Sequence, residues 1–178
     1  MPSHLILKPT DRTRNLPFND TEIIYCRTPN KPDDGPFTQK FVQSWRSERS
    51  NSVSRGLLCK SADDARWKDP TTVRSGDVDV YDSSCTIMRA LYRDLIELKT
   101  PIYDEDSGKT TELVLGIYRT PQQCHKPHAD IVMRVEGQDP QIDADGKVTP
   151  IPLKGAPNRK TYLGEFRRLI ANCFTVVE

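Results

Sequence analysis

The chain lacks the marks of most chemically explicit protein classes. Its five cysteines, at 26, 59, 85, 124 and 173, include no CxxC pair. Their odd number and wide spacing fit free thiols in a reducing cytoplasm rather than a disulfide framework. No apolar run approaches the roughly 20 residues that a membrane helix requires. The opening residues 1–9 hold too short an apolar stretch for a secretory signal. GxSxG, HExxH, GxGxxG and HxE…PCxxC are all missing, which disfavours several hydrolase, metalloprotease, dinucleotide-binding and deaminase families. A dominant charge is missing too. The formal net charge is +1, so no global field argues for nucleic acid or membrane. Residues 1–60 hold ten Lys/Arg against six acids, and residues 61–120 hold eight against twelve. Blocks of that size are usually solvated surface.

What is present speaks first to architecture. With 178 residues the chain suits one domain spanning 1–178, with residues 1–20 as an extended or disordered arm. Fourteen prolines require long connections or sheet edges. Glu22 to Arg27 is rich in β-branched and aromatic residues and reads as a strand. Two segments, 102–118 and 130–151, place acidic, glycine-bearing turns between extended-favouring residues and read as hairpins. Within them, 113–118 reads as a strand covered on both faces, and 131–135 as a half-exposed one. Three segments read as helices. Phe37, Phe41 and Trp45 recur every four residues after Pro36, suggesting a helix to about Ser50. Ile87, Met88, Leu91, Leu95 and Leu98 suggest a central core helix over 84–99, for which Leu91→Ala should cost about 2–5 kcal/mol. Tyr162, Phe166, Leu169, Ile170 and Cys173 suggest a helix over 159–173, and 174–177 a terminal strand. The expected fold is therefore α+β: a mainly antiparallel sheet of four to six strands with two or three helices packed on it.

Four local clusters resemble chemistry. Ser107-Gly108-Lys109-Thr110-Thr111 resembles the tail of a phosphate-binding loop, but Tyr103 replaces its first glycine and three acids precede it, so a hairpin turn is the better reading. Asp143 to Val148 matches the middle of a calcium loop without its terminal bidentate glutamate, and Asp145-Gly146 is equally a hairpin signal. Cys124, His125, His128 and Asp130 form the densest group of nucleophile, base and ligand types. They are candidates for a hydrolase- or transferase-type site, although their spacing fits no standard zinc signature. Arg46 and Arg49, with Arg167 and Arg168, could form an anion-binding surface if they converge.

None of these constellations is complete, and the residues leave catalysis open. The expectation is a cytoplasmic, non-catalytic binding or regulatory module that recognises a protein partner or self-associates. No cofactor or metal is implied, nucleic acid is disfavoured, and no membrane association is expected. The rivals are a small enzyme centred on Cys124, His125, His128 and Asp130, and an anion or nucleic-acid binder using the four arginines.

Overall fold

The computed structural model describes residues 17–28, 45, 50–68, 80–81, 83, 85–104, 108–119, 128–143, 147–151, 153 and 159–177. Its strands are β1 (Ile23–Thr28), β2 (Asn51–Arg55), β3 (Trp67–Lys68), β4 (Val80–Tyr81), β5 (Thr86–Leu91), β6 (Lys99–Asp104), β7 (Lys109–Arg119), β8 (His128–Val135), β9 (Gln141–Ile142), β10 (Val148–Thr149) and β11 (Thr175–Val176). Two α-helices accompany them, α1 (Tyr92–Ile96) and α2 (Arg159–Cys173), with 3-10 turns at Gly56–Leu58 and Ala62–Arg66.

Seven strands form one antiparallel sheet in the order β11-β5-β1-β2-β8-β7-β6, curled into a half-barrel. The chain itself enforces the curl. β5 and β6 stand five places apart, about 24 Å across a flat sheet at ~4.8 Å per step. They are joined through the five-residue α1 and two further residues, a link that reaches only about 17 Å. The sheet must bend until its far strands approach.

The inner face carries Ile24, Cys26, Val53, Met88, Ala90, Leu113, Leu115, Ile117, Ala129, Ile131 and Met133, all buried in one cluster. Leu163, Phe166, Ile170 and Ala171 of α2 fill the curl, and Phe174 follows, meeting Trp45 edge-on at 6.1 Å. These residues recur at helical spacing, so one face of α2 reaches the core. A smaller cluster of Ala65, Cys85 and Ile87 caps the outer face at β5.

The expected helix over 84–99 does not form, nor do two or three helices pack on the sheet. Residues 86–91 are strand β5, the helix is the short α1, and Lys99 opens β6. Among the described residues, α2 is the one helix of more than five residues. The physical reason is burial on both faces of β5. Thr86, Ile87 and Met88 are all buried in succession, so the alternation that reveals a half-exposed strand is missing. Leu91 is half-buried at the strand's end, and its truncation should cost less than a core helix would imply. The expected helix between Pro36 and Ser50 falls, apart from Trp45 and Ser50, outside the described residues. Directly after the expected end of that helix, Asn51–Arg55 form β2.

The hairpin around Gly108 is present as β6–β7, with Lys99 paired to Val114 and Asp104 to Lys109. Gly108 sits at φ +64°, which glycine adopts without strain. The second hairpin differs. β8 pairs with β7 and β2, while the turn after Asp143 joins only β9 to β10.

Candidate functional site

β8 positions the candidate residues. Ala129, Ile131 and Met133 point inward and are fully buried, so His128, Asp130, Val132 and Arg134 occupy the outer face by strand alternation. That face was expected to be solvent-exposed. It is covered instead at His128, Asp130 and Val132, with 5%, 8% and 1% exposure.

Register builds a polar surface around them. Arg89 lies opposite Tyr25, Tyr25 opposite Ser54, and Ser54 opposite His128. Beside this row, Ser52 and Tyr118 flank Asp130 from either side. Directly opposed residues place their Cβ atoms about 5 Å apart. Ser54 is buried, Tyr25 half-buried, and Ser52 and Arg89 exposed. Burial holds the Tyr25 phenol above its usual range, reinforced by the Cys59 thiol and opposed by Arg89.

Tyr118 does not turn toward Asp130. Its ring lies back over Gly116, where a Cβ would come within 2.6 Å of the ring and hydroxyl. Its hydroxyl stands 3.5 Å from Asp139, which also meets Arg134 at 3.4 Å. Chiefly by desolvation, burial raises the Tyr118 pKa. Glycine at 116 therefore makes room for an aromatic lid on this part of the outer face.

Of the sequence candidates, His128 and Asp130 are thus brought to one face, two residues apart. Cys124 and His125 lie outside the described residues, as do Arg46 and Arg49. Arg167 is half-buried and Arg168 exposed on α2, away from the outer face of β8. Ser52, Ser54 and Tyr25 are the residues that sequence reasoning missed. Val53 flanked by two serines does carry the period-2 signature of a strand, and that signal could have found them.

The phosphate-loop resemblance ends in a strand rather than a helix, so its required context is absent. In the calcium-like stretch, Asp143 Oδ1 accepts a hydrogen bond from the Lys147 backbone at 2.8 Å, which closes a turn. Residues 144–146 lie outside the described residues. Among the described residues no group of three or more His, Cys, Asp or Glu could hold a metal ion.

Thiol chemistry is suppressed where it can be followed. Burial pushes Cys26 and Cys59 up to about 12 and raises Cys173 as well. These sulfurs stay protonated at neutral pH, whereas a nucleophilic cysteine needs a depressed pKa. No described helix is long and apolar enough to cross a membrane. No known protein family, curated protein or solved structure matches the chain.

Proposed function

We propose that the protein is a non-catalytic binding module that recognises a protein partner through the outer face of β1, β2, β5 and β8. One observation carries this reading. His128 and Asp130 are more than nine-tenths buried on the sheet face that does not contribute to the main core, next to the exposed Ser52. The row they belong to runs out to solvent at Ser52 and Arg89, so this face offers a partner polar side chains rather than an apolar layer. Tyrosine, arginine and small hydroxyl residues in register are also the side chains that recognition surfaces favour. The cytoplasmic setting belongs to the same reading, supported by the free thiols of Cys26, Cys59, Cys85 and Cys173.

A photo-crosslinking residue tests it. Placed at Ser52, it should yield a discrete adduct in cells that excess unlabelled protein competes away. Placed at the exposed Thr161 of α2, it should not. Equal labelling at both positions would contradict the proposal.

A second reading has one observation in its favour: Ser54 faces His128 with Asp130 on the same side. These are the residue types of an acyl-transfer site. Covalent labelling of Ser54 by a fluorophosphonate, lost in His128→Ala, would favour that reading over a binding module.

A further inference from the structure

The outer face of the sheet treats its cations in two ways. On β6 and β8 the fold supplies their counter-charges: Lys99 reaches Glu112 and Glu136, both at 2.9 Å, and Arg134 reaches Asp139 at 3.4 Å. On β5, Arg89 stands between two hydroxyl side chains instead, opposite Tyr25 of β1 and Thr175 of β11. Opposed positions are where a sheet can set the counter-charge of a cation, and neither is acidic. The other charge at the described outer-face positions of β11, β5, β1 and β2 is Arg27, two residues along β1. The acids of the neighbouring 3-10 turn have other partners, Asp63 meeting Arg66 and Tyr81 while Asp64 accepts from the Lys60 backbone. Arg89 and Thr175 are exposed and Tyr25 is half-buried, so an incoming group can reach the guanidinium.

We infer that Arg89 is the anchor at which the protein partner presents a carboxylate, the side chain of an aspartate or glutamate. This deepens the binding-module reading and rests on it. The guanidinium fork matches a carboxylate with two parallel N–H bonds. Tyr25 and Thr175, whose Cβ atoms lie about 5 Å from that of Arg89, bring hydroxyl donors to the same place. Burial keeps the Tyr25 phenol protonated and able to donate. A phosphate fits less well, because phosphorylated motifs are usually gathered by a cluster of arginines, and Arg27 is already engaged in an interaction of its own. A basic side chain is disfavoured, since like charges brought together at an interface are costly.

The experiment follows the Arg89 Nε–H signal by NMR in the full chain at neutral pH. Acetyl-triglutamate amide is titrated as the probe, with the triglutamine and trilysine peptides and inorganic phosphate in parallel. A saturable shift at Arg89 is expected for triglutamate, accompanied by shifts of the Tyr25 and Thr175 amides. Triglutamine should bind about tenfold more weakly or less, as loss of a charge-assisted bond requires. In Arg89→Gln the Tyr25 and Thr175 shifts should vanish while Tm stays level, because the side chain is exposed. Arg168→Gln, which removes an exposed arginine of α2, should leave them in place. A non-saturating response, equal binding of triglutamine or trilysine, or shifts that persist in Arg89→Gln would overturn the inference. So would a fall in Tm for Arg89→Gln matching that of Glu22→Gln, since it would reveal a structural role. Tighter binding of phosphate would overturn the assignment to a carboxylate. If the Ser52 adduct forms while triglutamate leaves Arg89 untouched, the binding module stands and the carboxylate inference alone falls.

Discussion

Arg55 and Glu22 form a bidentate ion pair inside the fold, with side-chain exposures of 2% and 1%. The guanidinium also donates to the Pro17 carbonyl at 2.9 Å and lies 4.1 Å over the Phe18 ring. Phe18 in turn stacks on Tyr92 at 4.8 Å, within 1° of parallel. The backbone N–H groups of Tyr92 and Arg93 donate to the backbone carbonyls of Glu22 and Asp20. One cation therefore ties residues 17–22 to β2 and α1.

Removing either half leaves a buried charge alone. Glu22→Gln or Arg55→Met should each destabilise by about 3–5 kcal/mol, because the desolvated survivor loses its counter-charge. The double variant Glu22→Gln/Arg55→Met should cost less than the two single changes combined. Urea unfolding of the four proteins measures the coupling, and strict additivity would show that the pair does not act as a unit.

Gly116 and Tyr118 make a second coupled pair. Gly116→Ala should destabilise by about 1–3 kcal/mol, since its Cβ drives into the Tyr118 ring and over-packing strains the site. Adding Tyr118→Ala should remove that penalty. Thermal denaturation of the single and double variants decides this, and an unaltered penalty in the double variant would place the strain elsewhere.

The high thiol pKa values carry a pH signature. Between the ordinary value of 9.0 and about 12, Cys26 and Cys59 stay protonated in the folded chain while the unfolded chain ionises. Their contribution to stability is therefore complete below pH 9 and declines as pH rises toward 12. Cys26→Ala/Cys59→Ala should flatten this alkaline decline. At pH 8, iodoacetamide should modify both thiols only under denaturing conditions, as peptide mapping would reveal.

The free edge of the sheet at β6 is protected by Pro101. The Glu112 carbonyl accepts a bond from the Glu136 N–H on the β8 side, so Glu112 turns its polar backbone away from β6. Pro101, opposite Glu112, consequently presents its missing N–H to the open edge. Pro101→Thr should restore a donor there and increase concentration-dependent association with little change in stability. Light scattering would detect it, and an unchanged association rate would mean that the edge is guarded by something other than proline.

Certain elements were legible in the residues because their signal is local. Helix α2 spans the predicted 159–173, since one apolar stripe meets the core and the opposite side stays polar. Strand β1 and the Gly108 hairpin were legible for similar reasons, through β-branched spacing and a turn that requires positive φ. The 84–99 segment was misread because β5 is covered on both sides, so its burial erases the alternation that would distinguish it from a helix.

Chain chemistry by itself determined which stretches could be amphipathic, where turns fall, and that His128 and Asp130 sit close along the backbone. Only tertiary structure decided that β8 lies between β2 and β7, setting Ser52 beside Asp130 and Ser54 beside His128 across long sequence separations. The physical reason is that strand neighbours are chosen by closure of the whole curl around α2. Local patterning can say that a strand exists, but its two flanking strands, and hence the company a carboxylate keeps, follow from how the sheet wraps its core.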